Sequence, residues 1–166
     1  LIITEGVEVS HPAASGYPNC PNLESDEAKK MWEKVVHEVH KNNSSIFCQL
    51  WHVGGIRKPG LPPFPEIPGF TPSGYVRPGK KVAHEMSHEE IQELINIYSE
   101  DAKTCEQLGF DGVEIHGAHG YLIDQFFWDE INFRDDDYGG SIKNRSRFAK
   151  EILEEAQKNT GENFKV

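Results

Sequence analysis

His116, His119 and Tyr121 stand close together at the end of an apolar run. Two imidazole N–H groups separated by a tight turn can converge on one oxygen and stabilise negative charge building there, as in an oxyanion hole. A phenol beside them can hand a proton to an adjacent carbon, a role typically worth about 10²–10⁴-fold. Histidines at such positions also serve purely structural ends, and imidazoles bind zinc. The metal reading, which would make the chain a metal-dependent hydrolase, is disfavoured: no His-Glu-x-x-His helix and no cysteine beside the pair is present.

A second candidate segment is Phe47-Cys48-Gln49-Leu50-Trp51. Side chains alternate along a strand, so Phe47, Gln49 and Trp51 share one face and Cys48 and Leu50 the other. A buried glutamine needs partners, because leaving its amide unpaired costs about 1–3 kcal/mol. A flat heterocycle with alternating donors and acceptors would satisfy it; so would a neighbouring strand or loop.

These residues must be positioned by something. Three β-branched runs read as strands: Leu1 to Thr4, Ile46 to Trp51 and Gly112 to His116. Between them lie segments of helical period. One starts near Ser25 with Asp26 and Glu27 at its positive end, carries Ala28, Met31, Trp32, Val35, Val36 and Val39 as its apolar stripe, and stops at Asn42-Asn43. A second opens on the Ser87-x-x-Glu90 capping box, follows Ile91, Leu94, Ile95, Tyr98, Ala102, Cys105 and Leu108, and ends at Gly109. A third runs from about Ser141 to Lys158 with Phe148, Ile152, Leu153 and Ala156 apolar, before a new strand near Phe164. Alternating strands and helices predict an α/β fold with a parallel sheet. No glycine-rich nucleotide loop follows any strand, so a section of a (β/α)8 barrel is favoured over a doubly wound sheet. Residues 52–86 hold seven of the ten prolines and read as a long loop over the strand C-termini, where barrels build their active sites. His37 and His40 read as a solvated helix face.

Composition narrows the function classes. Lys plus Arg is 17 against 27 for Asp plus Glu, a net charge of −10, which argues against a nucleic-acid or anionic-membrane partner. Three unpaired-looking cysteines, Cys20, Cys48 and Cys105, favour the cytoplasm or another reducing compartment. No run of about 18 apolar residues that could span a bilayer is present in the sequence, and no signal-peptide pattern is read in it.

Taken together, the motifs resemble a known family. Gln49-Leu50-Trp51-His52 is similar to the Q-[LI]-W-H segment of the Old Yellow Enzyme family. The stretch from Gly112 to Phe126 resembles its fourth-strand motif, and Asn132 to Phe148 resembles its N-x-R-x-D-x-Y-G-G-S-x-x-N-R-x-R-F stretch. The match is collinear from Leu1 to Val166 and weakest in the Pro-rich loop. Histidine at both 116 and 119 leans toward the branch holding the oxophytodienoate reductases.

The resemblance implies a partial TIM barrel, about strands 2 to 5 with their helices, as one flavin-binding domain truncated at both ends. It implies FMN as cofactor, NAD(P)H as reductant, and reduction of the C=C bond of small α,β-unsaturated carbonyl compounds. Gln49 and the backbone at Gly6 would hold the flavin. His116 and His119 would bind the substrate carbonyl, Tyr121 would protonate the neighbouring carbon, and Trp51 would line the pocket. Asn132 to Arg147 would be structural. Gly54-Gly55-Ile56 and Trp128-Asp129-Glu130 depart from the family pattern. The family's first strand, a later arginine and the phosphate loops fall outside the chain. The 166 residues alone are therefore expected to bind FMN weakly or not at all, and a non-catalytic fragment is the alternative reading.

Overall fold

A computed structural model describes residues 1–60 and 62–166. Three strands, β1 (Ile2–Glu8), β2 (Ile46–Trp51) and a later strand (Gly112–Ile115), form a parallel sheet with β2 in the middle. Two-residue and three-residue strands lie between, β3 (Phe70–Thr71), β4 (Tyr75–Arg77), β5 (Lys80–Lys81) and β6 (His84–Glu85), so the third long strand is β7. Helix α1 (Asp26–Lys41) crosses from β1 to β2, and α2 (His88–Gln107) leads into β7. After β7 come α3 (Leu122–Phe127), α4 (Ile142–Arg145) and α5 (Arg147–Asn159). Lys165 then bridges in parallel to Gly112, where the sequence predicts the next strand.

Register decides which residues meet. Gly6 pairs with Gln49 and Glu8 with Trp51; Gln49 pairs with Glu114 and Leu50 with Ile115. Paired residues in a sheet point to the same side. One side therefore carries Val7, Cys48, Leu50 and Val113, all buried. They pack on Ile91, Leu94, Ile95, Tyr98, Ala102 and Cys105 of α2 and on Phe148, Ile152 and Ala156 of α5. The other side carries Gly6, Glu8, Gln49, Trp51, Glu114 and His116.

Local chemistry sets the helix ends. Ser25 caps α1 through Ala28 N–H, and Asn43 takes a left-handed φ of 53° just past its end. The capping box at Ser87 and Glu90 is complete, and Gly109 turns the chain at φ 90°. Ser10 anchors the end of β1 to α2: its N–H and hydroxyl donate to the two oxygens of Asp101 at 2.8 and 2.7 Å.

Several expectations need correcting. β1 extends to Glu8 rather than stopping at Thr4, because parallel pairing with β2 carries it through Gly6 past a register slip. The stripe on α1 is narrower than its apolar residues: Met31 and Val35 are exposed, while Val36 is buried and Trp32 lies against Phe110. The third helix is two. Ser146 donates its hydroxyl back to the Lys143 carbonyl at 3.0 Å, and the chain turns there between α4 and α5. Leu153, assigned to the apolar face, is exposed. His40 is not simply solvated, since its Nε2 lies 2.9 Å from Asp111. Helix α3 has no counterpart in the sequence reading.

The periodicity correction is testable by unfolding in denaturant. Phe148 is buried and stacks on Phe126 at 4.4 Å, so Phe148→Ala should cost about 3–5 kcal/mol. Leu153→Ala, at an exposed position, should cost less than about 1 kcal/mol.

Candidate active site

β7 ends in a turn built to project side chains. His116 N–H still bonds Leu50 O at 3.0 Å, so the strand geometry persists to the first histidine. His119 and Gly120 follow with φ of 61° and 74°, and this left-handed pair reverses the chain before α3. Gln125 holds the turn in place. Its Nε2 donates to Gly120 O at 2.7 Å and its Oε1 accepts Gly55 N–H at 3.0 Å. The buried amide thereby ties the β7–α3 turn to the turn after β2.

The turn brings His116, His119 and Tyr121 together. The ring centres of His116 lie 5.3 Å from those of both His119 and Tyr121, edge to face in each case. Trp51 forms the floor, 5.0 Å from Tyr121 and 6.4 Å from His116. Tyr17, which sequence reasoning missed, stacks on Trp51 at 5.8 Å and puts its hydroxyl 3.4 Å from that of Tyr121. Only the turn signal Gly16-Tyr17-Pro18 marked it.

Protonation states follow from the partners. His116 Nδ1 accepts the Ala118 N–H at 3.3 Å, so the ring proton sits on Nε2. Burial lowers the His116 pKa, and His119 adds to the effect, keeping the ring neutral. Tyr121 is pushed up to about 12, first by its hydrogen bond to Tyr17 and then by burial. The cluster thus offers a neutral imidazole donor and a phenol that keeps its proton at neutral pH. Two such groups can hold an oxygen and deliver a proton.

The sheet face beside this cluster carries Gly6 and Gln49. Gln49 Nε2 donates to Glu114 Oε1 at 2.6 Å, so its amide finds a partner on the neighbouring strand. Gly6 lies under Trp51: a Cβ there would sit 2.8 Å from Trp51 Cε3. A half-buried amide next to a side-chain-free backbone fits a flat heterocycle in both chemistry and exposure.

A buried histidine, His52, and a half-buried one, His11, stiffen the wall. His52 Nδ1 accepts Gly54 N–H at 2.9 Å, so its Nε2–H donates to His11 Nδ1 at 3.0 Å. Arg57 is buried as well, donating to Ser15 O, to Ile67 O at 3.1 Å and to Phe64 O at 2.7 Å. It fixes the 11–17 segment against the Pro-rich loop. The Asn132 to Arg147 stretch is braced by its own contacts, with Asn132 donating to Phe126 O at 2.8 Å and Tyr138 O at 2.9 Å. Arg134 pairs with Asp136 and donates to Pro72 O at 2.7 Å.

A parallel β/α sheet with donor side chains at its C-terminal edge is the arrangement of a partial β/α barrel. The chain belongs to the NADH:flavin oxidoreductase / NADH oxidase family, whose model matches residues 1–166. It is 38% identical over 171 residues to 12-oxophytodienoate reductase 2 of Arabidopsis thaliana, covering 97% of this chain and 46% of that protein. It is 40% identical over 169 residues to 12-oxophytodienoate reductase 7 of Oryza sativa subsp. japonica, covering 92% and 41%. Among solved structures it resembles morphinone reductase, with a TM-score of 0.87 at 29% identity, covering 98% of this chain and 47% of that one. It also resembles the old yellow enzyme homologue from Zymomonas mobilis, with a TM-score of 0.86 at 34% identity and coverage of 98% and 48%. The chain spans about half the length of the relatives it matches. No helix among the described residues is long and apolar enough to cross a membrane.

The histidine wall has a pH signature. Burial lowers His11 to about 4 from an ordinary 6.5. Burial also lowers His52 well below that value, with His11 and Arg57 adding to it. Both rings are neutral in the fold, whereas the unfolded chain takes up these protons below about pH 6.5. Stability is therefore present above that pH and is lost as pH falls toward 4. Asp101, raised by burial from 3.8 to about 6, acts in the opposite sense over much of that range. The readout is thus a comparison: His11→Gln should lose less stability than the unaltered protein between about pH 7 and 4.5.

Proposed function

We propose that the protein is an FMN-dependent ene-reductase that uses NAD(P)H to reduce the C=C bond of small α,β-unsaturated carbonyl compounds. The observation that carries this reading is the cluster of His116, His119 and Tyr121 over Trp51, with Tyr121 held as a neutral phenol. Its membership in a flavin oxidoreductase family supports it, as does its likeness to the 12-oxophytodienoate reductases and morphinone reductase. In this reading the segment supplies about strands 2 to 5 of the barrel, and the loop of residues 52–86 covers the active-site face.

Bound FMN would supply the hydride that reaches the β-carbon of the alkene. Gln49 and the Gly6 backbone hold the flavin, the Gln49 amide exchanging its bond to Glu114 for the ring edge. His116 donates from Nε2 to the substrate carbonyl oxygen, and His119 binds the same oxygen. As hydride arrives, negative charge moves onto that oxygen, and the fixed donors lower the barrier without reorganising. Tyr121 then gives its proton to the α-carbon. Tyr17 stands next to it and holds the phenol in place. Trp51 presents an apolar floor that excludes water from the reacting bond.

The second reading, that the 166 residues alone are a non-catalytic fragment, draws on two observations. β1 is an edge of the sheet with Ile2 and Ile3 exposed, and the matched relatives are about twice as long. An open strand edge beside apolar surface is a poor platform for a cofactor. Expressed by itself, the segment should emerge colourless and bind added FMN weakly or not at all in a fluorescence titration.

The main reading is tested on the protein expressed from its full reading frame. It should be yellow, with flavin absorbance, and should oxidise NAD(P)H in the presence of cyclohexenone. Tyr121→Phe should leave reduction of the flavin by NAD(P)H intact and slow alkene reduction by about 10²-fold or more. A colourless protein that stays flavin-free after soaking in FMN would sink the proposal.

A further inference from the structure

Of the three clustered side chains, only His119 sits on a left-handed backbone, with φ 61°. A residue with a Cβ is disfavoured in that region and stays there only when its surroundings hold it. Gly120 follows at φ 74°, and a Cβ on it would meet nothing within 4 Å, so glycine serves the conformation of the turn and not its packing. His119 itself is exposed. The turn is therefore held by hydrogen bonds and not by crowding.

Two side chains near the start of α3 supply those bonds. Asp124 Oδ2 accepts the Gly120 N–H at 2.8 Å, and Gln125 Nε2 donates to Gly120 O at 2.7 Å. The two bonds act on different peptide planes. The N–H lies in the plane that joins His119 to Gly120, and the carbonyl lies in the plane that joins Gly120 to Tyr121. If His119 relaxed to the right-handed region, the first plane would rotate and carry the N–H away from Asp124. Asp124 therefore guards His119, whereas Gln125, already tied to Gly55, guards the entry to Tyr121. Burial lowers the His116 pKa and the Asp124 carboxylate opposes it, so the charge of Asp124 and its hydrogen bond have to be separated in any test.

Building on the ene-reductase reading, we infer that Asp124 is a positioning residue for carbonyl binding, fixing the Gly120 N–H and so holding His119 in the left-handed conformation that keeps its ring beside His116. The two ring centres lie 5.3 Å apart, close enough for both to serve one oxygen. Without the Asp124 carboxyl, His119 leaves the left-handed region and one of the two donors is lost from that oxygen. His116 stays, because its own N–H is bonded to Leu50 O at 3.0 Å. The loss falls on the carbonyl end of the substrate, while the Tyr121 phenol keeps the support of Gln125 and Tyr17.

The test uses the FMN-loaded protein from the full reading frame, and reads cyclohexanone affinity by calorimetry beside kcat/KM for cyclohexenone. Asp124→Ala should weaken both by about tenfold, the scale of a lost charge-assisted hydrogen bond. Asp124→Asn removes the charge but keeps an acceptor, and should hold both to within about threefold of the unaltered protein. Action through the backbone has its own signature. In a His119→Asn background, where the residue tolerates left-handed geometry and still offers a donor, Asp124→Ala should cost no more than about twofold. A full tenfold loss in that background, no rescue by Asp124→Asn, or no loss from Asp124→Ala beside His119 overturns the inference. If Asp124→Ala does not fold, amide hydrogen exchange in the unaltered protein decides the matter. The Gly120 amide should exchange at least about tenfold more slowly than that of Gly117, which has no hydrogen-bond partner among the described residues; equal rates refute the clamp. If no alkene turns over yet Asp124→Ala weakens ketone binding and Asp124→Asn restores it, the positioning role stands and the ene-reductase reading falls.

Discussion

The parallel pairing of β2 with a strand on each side is the constraint from which the rest follows. It fixes Gly6 opposite Gln49 and Glu8 opposite Trp51, and sets Gln49 against Glu114 on the far side. A slip of one residue in either ladder would turn the whole set to the wrong face of the sheet. The register is held from behind by buried Val7, Cys48, Leu50 and Val113, which pack on α2 and α5. Apolar burial on one side thereby specifies polar chemistry on the other.

The turns convert that register into a site. Gln125 spans the turn after β2 and the turn after β7, so the two strand ends move together. His52 and His11 tie the end of β2 to the segment that carries Tyr17. These contacts are side chain to backbone or ring to ring, and they join the segments that flank Trp51 and Tyr121. Rigid support of this kind is what preorganised catalysis requires.

Much of this was legible in the sequence, and the reasons for what was not are physical. The helix ends at Ser25, Ser87 and Gly109 were readable because capping is local chemistry. The trio His116, His119 and Tyr121 was readable because a strand end and a turn place them by spacing alone. Met31, Val35 and Leu153 were misjudged because apolar character does not say which part of a broad stripe finds a partner. Glu8 and Tyr17 were invisible for a different reason. Both meet Trp51, which lies 51 − 8 = 43 residues beyond Glu8 and 51 − 17 = 34 beyond Tyr17, and no short window along the sequence contains both halves of either contact.

Trp51 is where these elements meet, with Tyr17, Tyr121 and His116 all against its indole. Of the other two tryptophans, Trp32 lies on the helical side against Phe110 and Trp128 is exposed. The molecule therefore carries a built-in optical probe at one defined place. Anything that displaces Tyr17 or approaches the histidines alters the surroundings of this one indole and leaves the other two unchanged. Its emission reports on the geometry of this cluster without any label being attached.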